Sequence, residues 1–380
     1  MPLIFAGLLV MSASASTPQP ANQAHSVGGQ STASTTNATV ERPSSQQQDA
    51  RAAYDAAMRA LGVGLRNSAS PRDRALVAYI GSAYLIESRP STSAERMANG
   101  AVLRAAAEAA PGDGYVQSLW MADKPEYSGC NSRTPCPDRS KALIHAEPDN
   151  ALAWLPAVED AKDEAATDAA LARMAQATTY DDHLGDAQKA WMDAFARYPL
   201  PAPRTAEAAK YTPLATVYEV ANDLTKDTSA SFAHPSFGGI NTDCDRRRNP
   251  AASPQRFRDC AQIGRTILAH SGSLLGYMFG RDLLRISGQA TPADIEMARI
   301  YRWQIDNWFQ PRLGMLEDPE EVNAIADDWG HADNEIEVMR IELTRAGIAL
   351  VPPRGWWPHS GRGPYNPLGE DADHAAPKTR

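Results

Sequence analysis

The 380-residue chain carries 43% hydrophobic and 22% charged residues, an ordinary globular composition, and is long enough for two or three domains. A net charge of -9 excludes a general affinity for nucleic acid or anionic membrane, which needs a basic surface. No stretch approaches the roughly 20 apolar residues of a membrane-spanning helix, so the chain is not expected to be an integral membrane protein.

In chain order, the apolar run PLIFAGLLVM at 2–11 is followed by the small residues SASA at 12–15. That pattern predicts a signal peptide over 1–15, although no Lys or Arg precedes the run. Residues 16–48 are Ser, Thr, Gln, Ala and Asn with few large apolar side chains, and predict a disordered linker. Helical patterning then continues into the 340s. Capping signals stand at Ser70-Pro71, Thr92 with Glu95, Ser253-Pro254, Thr291 with Asp294, and Asp318-Pro319. Helices are expected at 49–66, 71–87, 93–109, 114–122, 138–147, 150–163, 166–177, 182–197, 204–226, 254–270, 272–286, 292–309 and 319–346. A long loop is expected over 228–254, with Phe237-Gly238-Gly239 as a turn. The prolines at 199, 201 and 203 divide a first helical array (49–198) from a second helical region (204–350), and a Pro, Gly and aromatic tail follows over 351–380. The fold class is therefore all-α.

Four cysteines allow three pairings. Cys130 with Cys136 and Cys244 with Cys260 are the expected disulfides, because each pair closes a short loop. No C-x-x-C occurs that would favour zinc or thioredoxin-like chemistry. Disulfides and a signal peptide together predict a periplasmic or secreted location.

One helix–turn–helix junction recurs. Ala146-Glu147-Pro148-Asp149-Asn150 is echoed by Ala109-Ala110-Pro111-Gly112-Asp113, with the two prolines 37 residues apart. Pro148, Trp154, Ala170, Met174 and Ala177, with Leu103 and Ala106 before Pro111, give residues 93–182 a pattern that resembles a tetratricopeptide (TPR) repeat. Ala157, Val158 and Ala161 are smaller than that pattern asks, Asp182 replaces its closing Pro, and Pro156 should kink or shift its helix. The resemblance implies an irregular α-solenoid-like array of antiparallel helix pairs, with Trp154 buried between helices.

Chemistry is sparse. On a helix, Asp327, His331 and Glu335 would share one face, the spacing of a base with its orienting partner or of cation ligands. Convergence of that cluster with His183, His234 or His270 in one pocket would favour an enzyme. Arg246, Arg247 and Arg248, followed by Arg256, Arg258 and Arg265, read as a solvated basic loop. Trp303, Trp308 and Phe309 read as a core stripe. Trp356, Trp357 and Tyr365 either cap the last helices or contact a partner. No catalytic residue, cofactor or metal is assigned. The function expected is non-catalytic binding of a protein or peptide; the alternative is an exported metal-dependent or acid/base hydrolase using His331 and Glu335.

Overall fold

A computed structural model describes residues 45–81, 91–123, 138–201, 234–315, 324–325, 327–360 and 363–369. Its helices are α1 (Ser45–Arg66), α2 (Pro71–Ile80), α3 (Ser93–Ala109), α4 (Gly114–Ala122), α5 (Arg139–Ala146), α6 (Ala151–Glu159) and α7 (Glu164–Met174). They continue as α8 (Leu184–Arg197), α9 (His234–Cys244), α10 (Pro254–His270), α11 (Leu274–Ser287), α12 (Pro292–Met315) and α13 (Glu335–Arg345). The protein is all-α, as expected; a two-residue ladder of β1 (His359–Ser360) with β2 (Gly363–Pro364) is a minor addition in the tail. No described helix is long and apolar enough to cross a membrane.

Local chemistry accounts for most of the helix starts. Ser70 accepts from Asp73 N–H, Thr92 and Glu95 form a reciprocal capping box, and Ser253 accepts from Arg256 N–H. Thr291 and Asp294 exchange the same pair of bonds. Elsewhere the boundaries move. Helix α1 begins at Ser45, inside the expected linker. Helix α2 stops at Gly81, whose φ of 95° is open to glycine and strained for other residues, well before the expected end at 87. The single helix expected over 319–346 is broken, because residues 330–334 turn and Asn334 caps a new start at Glu335.

The expected turn at Phe237-Gly238-Gly239 is helical instead, within α9. Intrinsic propensity disfavours two adjacent glycines in a helix, but packing overrides it. Phe237 stacks on Phe279 with centroids 3.9 Å apart, Ile240 is buried, and a disulfide joins Cys244 to Cys260 on α10 with Cα atoms 5.7 Å apart. This is one of the two expected pairs; Cys130 and Cys136 lie outside the described residues, as do 1–44, the expected helix 204–226 and the Asp318-Pro319 cap.

Three main apolar cores form, and they do not follow chain order. The first joins α1–α4 to α8 through Leu61, Leu76, Tyr115, Trp191 and Phe195. The second joins α6 and α7 to α9, α10 and α11, so it is shared across the proline break at 199–203. The third holds Tyr277, Ala298, Tyr301, Trp308, Met339 and Leu368. Trp308 is thus a core residue, as its spacing implied; the Phe309 side chain lies outside the described residues.

Helices α10 and α11 meet backbone to backbone. A Cβ added to Gly280 would stand 2.8 Å from Leu268 N and 2.9 Å from Gly264 O, positions that flexible side chains cannot relieve. Gly280→Ala should therefore lower unfolding free energy by about 1–3 kcal/mol in urea titrations, whereas Gly238→Ala, which meets nothing within 4 Å, should leave packing there undisturbed.

Candidate functional site

The two prolines that mark the recurring junction sit in turns of the same geometry. The residue ending α3, Ala110, has φ -134° and ψ 64°, and the residue ending α5, Glu147, has φ -139° and ψ 66°. Each turn closes by a bond across it, Asp113 N to Ala110 O at 3.1 Å and Asn150 N to Glu147 O at 3.2 Å. Asp113 and Asn150 then cap α4 and α6. Trp154 is only half-buried, correcting the expectation for it: its indole N–H donates back to Pro148 O at 2.9 Å, which keeps one edge at the surface. Pro156 is accommodated inside α6, which ends three residues later at Glu159.

The second junction is sewn to the turn that precedes α8. The Asn150 amide donates to Asp181 O at 2.9 Å and to Glu147 Oε2 at 2.8 Å, while its oxygen accepts from Asp181 N and Leu152 N. Backbone bonds from Ala151 N to Thr179 O and from Thr179 N to Asp149 O run alongside. This lacing brings Glu147 to a residue 36 positions later in the chain, His183.

His183 is the charged hub of the molecule. Only 2% of its side chain is exposed, and its φ of 58° is left-handed, a conformation that costs a non-glycine residue about 1–3 kcal/mol. The Asp181 carboxylate steadies that turn by accepting His183 N–H at 2.8 Å. Ring Nδ1 lies 2.9 Å from Asp186 Oδ2 and 3.8 Å from Asp181 Oδ2, and Nε2 lies 3.1 Å from Glu147 Oε2. Burial alone would strip the ring of its proton. Hydrogen bonds to Asp186 and Glu147, with the charges of Asp181 and Glu147, outweigh burial and push the pKa up to about 10. At neutral pH both ring nitrogens therefore donate.

The carboxylates respond in kind. Burial would raise Glu147 and Asp186, but His183 holds both below their ordinary range, helped at Asp186 by Arg72. Arg72 bridges Asp113 at 2.6 Å and Asp186 at 3.3 Å, and its guanidinium lies 5.6 Å from the Tyr115 ring. Gly114 is required beneath this network, since any Cβ there would collide with the Glu147 side chain. Asp182 faces the other way: burial raises its pKa, and the Ser273 hydroxyl donates to it.

The sequence-derived cluster of Asp327, His331 and Glu335 does not assemble as a helical face. His331 is exposed in the turn before α13, Asp327 is exposed in a separate helical segment, and Glu335 accepts Leu274 N–H at 2.9 Å. The local reason is Asn334, which starts α13 too late for His331 to join it. His270 is exposed at the end of α10, and the side chain of His234 lies outside the described residues. Among the arginines, Arg256 is an interior clamp on Glu164 and Asp168, and Arg265 pairs with Asp294 at 3.1 Å; Arg246, Arg247 and Arg248 are exposed. Trp356 and Trp357 are half-buried. Trp356 packs edge-on to Trp303 with centroids 5.1 Å apart, and its carbonyl accepts from Arg299. Tyr365 N donates to Pro358 O, and Leu368 enters the third core, so this tail lies against α12. An open groove of about 460 Å³ lined by Ser70, Asp73, Asp193, Ala196 and Arg197 sits at the other end of α8 from His183, with the Arg197–Asp73 ion pair in its wall.

Sequence reasoning missed the His183 hub. Its local signal was legible as D-D-H-x-x-D over 181–186, but Glu147 and Arg72 reach it only through tertiary packing. No protein-family model, curated protein or solved structure matches this chain.

The network fixes a pH dependence of stability. His183 has a raised pKa, so its contribution is complete below its ordinary value of 6.5 and is lost as pH climbs through about 10. Glu147 and Asp186 have lowered values, so theirs is complete above the ordinary carboxylate range and lost as pH falls through the depressed values. Urea unfolding should show a plateau near pH 5–6.5 and an alkaline decline of roughly 4 kcal/mol by pH 10. His183→Gln should flatten that decline.

Proposed function

We propose that the chain is an exported, non-catalytic helical protein that binds a protein or peptide through exposed helix faces. The observation that carries the reading is the identity of the large apolar side chains exposed on described helices: Val63 on α1, Met97 on α3, Met278 on α11 and Met297 on α12. Three of these are methionines, whose unbranched, polarisable side chains re-pack around varied partners. The charge chemistry supports the non-catalytic half. His183, the most perturbed imidazole described, holds its proton and donates from both nitrogens in the metal-free chain, so there it has no lone pair with which to act as a base.

Two turns of like geometry, at 110–113 and 147–150, support helix pairing in the manner of TPR-like arrays, which offer extended concave faces. The buried Cys244–Cys260 disulfide supports a periplasmic or secreted location. A hydrolase built on His331 and Glu335 has less behind it, because His331 stands off the helix and Glu335 caps α11.

Site-specific photo-crosslinkers at Met97, Met278 and Met297, introduced in the native host, should give a discrete adduct at one or more positions. With the crosslinker moved to a neighbouring exposed position on the same helix, Met→Lys at the reactive position should abolish the adduct without altering the circular dichroism. A folded protein giving no adduct at any of the three would overturn the reading.

A further inference from the structure

Among the described residues, the turn before α8 gathers more negative charge than the cations there neutralise. Asp113, Glu147, Asp181 and Asp186 converge on Arg72 and His183, four carboxylates against two cations. Three potential ligand atoms, His183 Nδ1 and one carboxylate oxygen each from Asp181 and Asp186, lie within 4.8 Å of one another. Zinc with bonds of about 2.0–2.2 Å sets neighbouring tetrahedral ligands roughly 3.3 Å apart. The Nδ1 distances of 2.9 Å to Asp186 and 3.8 Å to Asp181 bracket that edge.

We propose that this turn is a zinc site, with His183 Nδ1, Asp181 Oδ2 and Asp186 Oδ2 as ligands and Glu147 orienting the imidazole from behind. Each residue is placed for its part. Glu147 accepts from Nε2 and holds that proton in place when Nδ1 gives up its own, the carboxylate–histidine–metal arrangement that raises imidazole basicity. Arg72 contacts Asp186 through Oδ1, leaving Oδ2 to the ion. Asp181 uses Oδ1 to hold His183 N–H and turns Oδ2 toward the ring. Its side chain keeps 60% exposure against 2% for His183, so Asp181 is the most open of the three ligands and the ion enters past it.

A second observation lies on the dry side. Tyr115 is fully buried, its ring centroid stands 6.1 Å from the imidazole, and its hydroxyl has no hydrogen-bond partner among the described residues. Three protein ligands leave a fourth position on zinc for water, and the unmet Tyr115 donor, which lies in the field of the ligand Asp186, is a polar group that such a water could satisfy.

Loading exchanges a proton for the ion. The Nδ1 proton leaves to solvent, its electron pair becomes the Nδ1–Zn bond, and the two carboxylates bind as they stand, already ionised. Zinc sulfate titrated calorimetrically into the metal-free full-length chain at pH 7.5, in two buffers of different ionisation enthalpy, tests this. One zinc per chain and about one proton released are expected. Asp181→Asn keeps an Oδ1 acceptor for the turn but replaces the ligand oxygen with an amide, and should weaken binding at least tenfold with unchanged circular dichroism. Glu147→Gln should weaken it by about 10–100-fold. No zinc bound at millimolar concentration, or affinity unaltered in a folded Asp181→Asn protein, would each overturn the assignment.

Discussion

A protonated imidazole sealed between carboxylates is the constraint on which the middle of this protein depends. His183 ties the end of α5, through Glu147, to the first turn of α8, through Asp186, and Arg72 extends the same network to α2 and to the cap of α4. A buried ion pair of this kind returns little net stability over an apolar replacement, but removing one partner strands the other charge at about 3–5 kcal/mol. Its consequence is therefore positional: four segments, the end of α5, the start of α8, α2 and the cap of α4, can be in place only together. At its far end α8 is tied again to α2, by Arg197 bidentate on Asp73 at 2.6 and 2.8 Å. Between these polar ends Trp191 and Phe195 lie in the first core.

The lacing also explains why the cores interleave. Residues 178–181 run beside 149–151, so α6 and α7 fold back against the α9–α11 layer while the chain returns at His183 to close the first core with α8. The 271–273 linker joins the same region, with the Ser273 hydroxyl on Asp182 and Gly272 O accepting Ile336 N at 3.1 Å. Turns carry these polar contacts between layers, alongside the helix-to-helix clamp of Arg256 on Glu164 and Asp168. Helix faces carry the apolar ones, down to the glycine-on-glycine contact of α10 with α11.

Much of the fold was legible in the sequence because it rests on short-range chemistry. Thr92 with Glu95 and Thr291 with Asp294 name helix starts by side chains three residues apart, Ser253 with Pro254 does so by adjacent ones, and the structure uses each. The Cys244–Cys260 link followed from loop length. What failed was decided by tertiary contact or by one residue in a long periodic stretch. The glycines of α9 are held helical by Phe279 and the disulfide, and Asn334 cuts a helix whose hydrophobic period runs on. The candidate site failed for the same reason. His331 with Glu335 is a spacing argument, valid only if one helix spans both, whereas His183 gains its meaning from Glu147 across 36 residues. Glu147 belongs to the very junction whose recurrence was visible, but its polar role there was not.

The claim that binds these points together is that His183 is an imidazolium in the folded, metal-free protein. Long-range proton–nitrogen correlation spectra of its ring, followed across pH, measure this directly. Both nitrogens should carry protons at pH 8, with titration displaced from the ordinary 6.5 toward about 10. A ring that titrates near 6.5, or is neutral at pH 8 in the folded chain, would contradict the account.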